Sequence, residues 1–210
     1  MQSAVRLVQR HGRAYLAINV AFYGLVALGT AYSFANPRLQ TELTQAIVES
    51  FGVAPLSVAR DAYLSGNVAL AALVTFLVNF FLGSLVALTL PSLLIPYAGV
   101  FLGFYRAALW GVALAPTTPE LATAMVPHSL TLVLEGQAYI LAMLGVHVLW
   151  SSAIGGFGKG ISAMAAGYLA GLRANARIYI LVALVLAVAA VYEAFEVIYL
   201  VGGRGVGIGG

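Results

Sequence analysis

Apolar residues fall along this chain in long unbroken runs, neither alternating as in half-buried strands nor recurring on one helical face as in soluble helices. The first run is Ala14 to Ala35, preceded by Arg6, Arg10 and Arg13. The second goes from Asn67 to about Leu90, with Asn67 placed to cap a helix after the break at Gly66. Pro91 and Pro96 punctuate the chain, and a third run covers about Leu93 to Ala115, so the second and third form a tight hairpin. Pro116, Pro119 and Pro127 mark the next loop; a fourth run spans about His128 to Trp150 and a fifth about Ile178 to Val201. Runs of about 22 residues are long enough to cross the hydrocarbon core as helices. The pattern predicts an all-α, polytopic helical membrane protein, one integral domain over 1–210 with five transmembrane helices at 14–35, 67–90, 93–115, 128–150 and 178–201. The charged head and Ser33-Phe34-Ala35 end of the first run imitate a secretory signal, but 22 residues exceed a typical signal core, which predicts an uncleaved span.

Two segments between the runs carry their own pattern. From Asn36 to Gly66 the chain shows helix punctuation: Asn36 as N-cap, Pro37 at the first helical position and Gly52 past the end. Leu39, Leu43, Ala46, Ile47 and Phe51 recur at helical spacing opposite Gln40, Glu42, Gln45 and Glu49, which predicts an external amphipathic helix. Such a helix packs on the outer ends of the spans or offers a face to a partner. The link from Gly155 to Asn175 is rich in glycine. Gly156-Phe157-Gly158-Lys159-Gly160 imitates a phosphate loop, but no strand precedes it and no Lys-Ser/Thr ending follows. Ala163, Gly167 and Gly171, four residues apart, make a small-residue seam, predicting a short helix that packs against or dips into the inner face.

Composition narrows the class further. Hydrophobic residues make up 62% of the 210, and only 17 are charged, 10 Lys+Arg and 7 Asp+Glu. A soluble domain of this length would carry roughly 52. The deficit excludes an ordinary soluble globule, and the apolar excess excludes disorder. Without cysteine there are no disulfides or thiolate nucleophiles. The formal charge of +3 comes from scattered residues that make no continuous patch, which argues against nucleic acid as a partner. Those basic residues orient the chain instead. With the N-terminus inside, Arg6, Arg10, Arg13, Lys159, Arg173 and Arg177 are cytoplasmic, against Arg38, Arg60 and Arg204 outside. The cytoplasmic excess predicts a cell-membrane protein with its N-terminus cytoplasmic and its C-terminus external.

Ionisable groups inside spans need a partner or a purpose. Here they are Arg106, Glu135, Glu193 and Glu196, with His128 at one border and His147 near the other. Counted from the external ends of their runs, the four lie roughly 8 to 13 Å deep, all in the outer half of the membrane. The expected arrangement is a polar network of Arg106, His128, Glu135, Glu193 and Glu196, with Arg106 pairing Glu135, Glu193 or both. One arginine cannot neutralise three carboxylates at low dielectric, so at least one glutamate is protonated, hydrated or bound to a cation. The network can act as structural glue, as a proton or cation path, or as a recognition site for a partner's transmembrane segment. Beside it, Gly99, Gly103, Ala107 and Gly111 repeat every four residues as a flat stripe for core packing or a homodimer seam.

Catalysis finds no support. Glu193 and Glu196 stand three apart without the histidine of a Glu-x-x-His metal site, and neither a His-Glu-x-x-His nor a Gly-x-Ser-x-Gly motif occurs. Ser129 and His128 are helix neighbours that point in different directions. The expectation is a non-enzyme without metal or cofactor.

Pro127-His128-Ser129, followed by Glu135-Gly136-Gln137-Ala138-Tyr139-Ile140-Leu141-Ala142 and Gly145, resembles the Pro-His-Gly, glutamate, alanine and glycine signature of the stage II sporulation protein M family. The stretch from Asn67 through Phe76, Gly83, Gly99 and Gly103 resembles that family's preceding hairpin, with Ala98 in place of its asparagine and Ser129 in place of its glycine. The resemblance covers roughly residues 65 to 150. It implies a multi-pass membrane protein without catalysis of its own, working in spore formers with membrane-attached peptidoglycan hydrolases. His128 and Glu135 would be its signature residues, and Gly99 and Gly103 its packing residues. The expected function is therefore a membrane scaffold or assembly subunit, with membrane protein partners or a second copy in the bilayer. The alternative is an ion-coupled or small-solute transporter using the same network, which a cavity reaching Glu135 or Glu193 would favour.

Overall fold

The computed structural model describes residues 2–50, 52–53 and 56–201, and the described residues form helices and connecting turns without a strand. In chain order these are α1 (Gln2–Arg10), α2 (Gly12–Ala35), α3 (Pro37–Ser50), α4 (Leu56–Leu64), α5 (Val68–Leu94), α6 (Ala98–Ala113), α7 (Pro119–Ile154) and α8 (Ile161–Val201). Among the described residues, α2, α5, α7 and α8 are the helices long and apolar enough to cross a membrane. Helices satisfy every backbone polar group internally, which a bilayer demands.

α7 is the central element. In its most apolar stretch 67% of the residues are buried, against 17 to 33% for the other three long helices, whose outer faces are apolar and uncovered. Tyr139, Ile140, Met143 and Leu144 of α7 are fully buried and anchor the core. α8 lies antiparallel along α7 at backbone contact, with Gly145 against Asn175, Gly171 against Leu149 and Gly167 against Ser152.

Several predicted boundaries move. The fourth run begins not at His128 but at Pro119, in the first turn of α7, where the Thr118 hydroxyl accepts from the Leu121 amide at 3.3 Å. Pro127 sits inside this helix, and its carbonyl accepts a hydrogen bond from the Tyr192 hydroxyl at 2.9 Å. The separate short helix expected over the glycine-rich link is instead the start of α8. Ala163, Gly167 and Gly171 face α7 and its following turn, so they serve packing without breaking the helix. Gly158 and Gly160, at φ 85° and 102°, make the sharp turn between α7 and α8.

The third run holds only the 16-residue α6, about 24 Å long, against roughly 30 Å of hydrocarbon. Its first residues still belong to α5, which continues through Pro91 to Leu94, and the reversal comes at extended Ile95 and at Tyr97, whose φ of 60° is left-handed. α6 then runs parallel to α2. Thr30 and Ser33 donate to the Gly111 and Val112 carbonyls at 3.1 and 2.9 Å. At the other end of the bundle the His147 ring lies 6.1 Å from both His11 and Tyr97. Because Glu196 meets His128 near the opposite end, α1 and Val201 lie at opposite ends of the bundle.

The 36–66 stretch is two helices, α3 and α4. Asn67 caps α5 as predicted, its side chain accepting from the Leu70 amide at 3.1 Å. Asn36 instead closes α2, donating to the Tyr32 carbonyl at 3.2 Å. The buried residue of α3 is Gln40, from the side assigned to solvent, whereas Leu39 and Ile47 are exposed; Phe51 lies outside the described residues. Gln40 donates to the Ala115 carbonyl at 2.6 Å and accepts from Thr117 at 2.5 Å, so α3 is docked by hydrogen bonds to the turn after α6. Replacing Gln40 with Leu removes both bonds and strands a buried carbonyl, a loss of about 1–3 kcal/mol. The expected result is faster amide hydrogen exchange over α3 with the core helices unchanged; unchanged exchange in α3 would show that it is held by other contacts.

Candidate functional site

Most turns of α5 are α-helical, but Val78–Thr89 is wound more widely, in the π-helical hydrogen-bonding pattern. Such segments are uncommon and concentrate at functional sites. This one places Asn79 and Gly83 beside α6 and α7, where a cavity of about 680 Å³ opens between the three helices. Ile47, Ser50 and Leu56 of α3 and α4 roof it. Its walls are mostly apolar, including Leu82, Leu102 and Trp110, and its polar groups include Asn79, Arg106, Glu135 and Tyr139. An apolar pocket with a few convergent polar groups is the usual form of a small-molecule site.

Those polar groups form one chain. Arg106 Nη1 donates to the Gly83 carbonyl at 3.1 Å, and its guanidinium carbon lies 4.5 Å from the centroid of the Tyr139 ring. That contact puts the cation over the electron-rich ring face. Trp110 packs edge-on against the same ring, with centroids 5.5 Å apart. The Tyr139 hydroxyl donates to Asn79 Oδ1 at 3.0 Å, and Asn79 Nδ2 donates to Glu135 Oε1. Glu193 lies beside the carboxyl of Glu135 and beside Tyr63, and its Oε2 is buried without a hydrogen-bond partner. Tyr63 also hydrogen-bonds Thr75, at 2.8 Å.

The expected ion pair of Arg106 with Glu135 or Glu193 is therefore absent among the described residues. Tyr139 and Asn79 relay between the cation and the acid by an aromatic face and two hydrogen bonds, so Arg106 is stabilised by a ring and a carbonyl instead of a carboxylate. Hydrogen bonds sort the carboxyls onto different partners, while Glu193 stays within electrostatic reach of His128 and Glu196. Glu196, fully buried, turns away from the cavity: its Oε1 lies 3.0 Å from His128 Nδ1, and its Oε2 accepts from the Thr131 hydroxyl at 2.6 Å. α8 changes to wide turns at Glu196, three residues after Glu193, which separates the two carboxylates onto different partners.

The small-residue positions lie inside the chain. Gly99 meets the Leu88 carbonyl and Ser92, Gly103 the Met143 side chain and Gly111 the Val26 backbone, while Ala107 is fully buried. Ala163 meets Gly156.

Asn79 and Tyr139 complete the cavity chain and Tyr63 stands beside Glu193, and none of the three belongs to the polar network expected from the sequence. Asn79 carried a usable signal, an amide within an apolar run. A second amide was equally visible: Gln137 donates to Asn19 and Tyr23 at 2.7 and 3.2 Å and accepts from Tyr15, tying α7 to α2. Among the described residues no group of three His, Cys, Asp or Glu comes together to hold a metal ion. Compared with models of known families, with curated proteins and with solved structures, the chain matches none.

Proposed function

We infer that this chain carries a small solute through the membrane, coupled to proton movement at the Glu135–Glu193 pair. The observation that carries the reading is the 680 Å³ cavity that reaches Glu135 from beneath α3 and α4. Two carboxyls side by side at low dielectric are held together by a shared proton or an intervening cation, because both cannot stay charged in contact. Exchange of that proton alters the charge facing the cavity. Arg106 supplies a fixed positive end for an anionic or strongly dipolar group, and the apolar walls suit an organic body. The test is proteoliposomes loaded with a pH-sensitive dye, under an inside-negative potassium diffusion potential. The expected result is lumenal acidification that falls at least tenfold in Glu135→Gln. Flux equal to protein-free vesicles would overturn the proton coupling.

The second reading is a non-catalytic scaffold, as the resemblance to the stage II sporulation protein M family implies. The exposed apolar side chains Leu39, Ile47 and Val48 on α3 favour it, since they offer a partner an uncovered face. Crosslinking in native membranes tests it: recovery of this chain alone counts against it.

A further inference from the structure

At the end of the bundle remote from the carboxyl pair, α1 lies against α8 and the two helices form an open pocket of about 280 Å³. Its lining is Ser3, Arg6, Leu7, Arg10 and Arg177. Three exposed arginines thus line one pocket from two helices, at positions 167 to 171 residues apart in sequence. Like charges gather at a cost unless something neutralises them, and among the described residues no acid does. Arg6, Arg10 and Arg177 take part in no ion pair among the described residues. The seven acids of the chain are Glu42, Glu49, Asp61, Glu120, Glu135, Glu193 and Glu196, and none of them lines the pocket.

Its depth indicates what supplies the counter-charge. Arg177 immediately precedes Ile178, which is fully buried in the core, and Arg10 lies one turn before Ala14, the first residue of the apolar run of α2. The three arginines therefore fall at the ends of apolar runs, where basic residues of membrane proteins meet the head groups. Leu7 gives the pocket an apolar floor, and Ser3 adds a hydroxyl donor. Guanidinium forks match phosphate oxygens in pairs, a geometry that ammonium groups lack.

We propose that the α1–α8 pocket binds a phosphate group, that of an anionic phospholipid head or a free phosphate, through Arg6, Arg10 and Arg177. Bound there, the phosphate joins the N-terminal helix to α8, the helix that carries Glu193. The experiment uses the full chain in detergent micelles, with retained lipid read by native mass spectrometry. It is titrated with phosphatidylglycerol, with phosphatidylcholine of the same acyl chains, and with inorganic phosphate. Preferential retention of phosphatidylglycerol that millimolar phosphate does not displace supports the lipid source; phosphate binding that displaces the lipid supports the free anion. In either case each arginine contributes about fivefold, so Arg10→Gln/Arg177→Gln weakens binding about 25-fold. Arg173→Gln removes a charge from the same end without touching the pocket and shifts binding less than twofold. Equal retention of both lipids without phosphate binding would overturn the proposal, and so would an Arg173→Gln effect as large as that of Arg177→Gln. Should the double variant melt below wild type without added lipid, the exposed single variant Arg6→Gln is read instead, with a fivefold loss expected and no loss overturning the proposal.

Discussion

Gly111→Val is expected to destabilise the bundle by about 3 kcal/mol, the upper part of the range for overpacking. A Cβ at Gly111 would run into the Val26 carbonyl oxygen, and it would lie 2.9 Å from the Val26 carbonyl carbon and 3.0 Å from Gly29 Cα. These are backbone atoms of α2 and cannot swing aside as a side chain can. Gly29 is the reciprocal position, its own Cβ site lying 3.1 Å from the Gly111 carbonyl carbon. Forcing the two helices apart also breaks the bonds from Thr30 and Ser33 to the Gly111 and Val112 carbonyls. Interhelical bonds in membranes average about 0.6 kcal/mol each, so they add to the loss without dominating it. The control is Gly24→Ala, on the facing helix α2, where a Cβ meets nothing within 4 Å. Gly24→Ala should melt at or slightly above the wild-type temperature in the same micelles. If Gly111→Val melts with wild type, α2 and α6 do not pack backbone to backbone.

This seam was visible in the sequence because small residues four apart project on one side of a helix, whatever lies opposite. The long runs of α2, α5, α7 and α8 were legible for a similarly direct reason: in a bilayer, hydropathy reports the environment of each helix. The errors lie where helices continue past the apolar run. Pro119 and Pro127 look like loop punctuation, yet Pro119 begins α7, and Pro127 stands within the helix with its carbonyl bonded by Tyr192. Gln40 reads as a solvent residue and is a buried dock, since its amide can serve a carbonyl and a hydroxyl together. The cavity-lining charges Arg106 and Glu135 stand out in the sequence by their rarity in apolar runs. Their indirect connection was not, because it passes through Asn79 and Tyr139, neutral residues whose importance depends on the wide turns of α5.

The hydrogen bonds that Glu196 makes with His128 and Thr131 make the second large effect predictable. His128→Leu should cost about 3 kcal/mol, the lower end of the range for removing one partner of a buried pair. The lower end applies because His128 keeps 27% of its side chain exposed, whereas Glu196 is fully buried. Without the imidazole, Glu196 retains only the Thr131 hydroxyl, one hydrogen bond for a fully buried carboxyl. His128→Leu/Glu196→Leu removes the stranded carboxylate as well, and leucine fills the space with apolar volume. The double variant should therefore recover to within about 1 kcal/mol of wild type, as apolar replacements of buried pairs commonly do. Thermal unfolding of the two single variants and the double in one detergent measures the coupling directly. Additive losses would show that His128 and Glu196 do not act as a pair. Proton flux in the double variant adds a second discrimination, because Glu196 turns away from the cavity while Glu135 lines it. Flux that survives His128→Leu/Glu196→Leu but fails in Glu135→Gln would assign structure to one carboxylate and transport to the other. Equal failure in both would mean that the two groups, separate in geometry, work as one path.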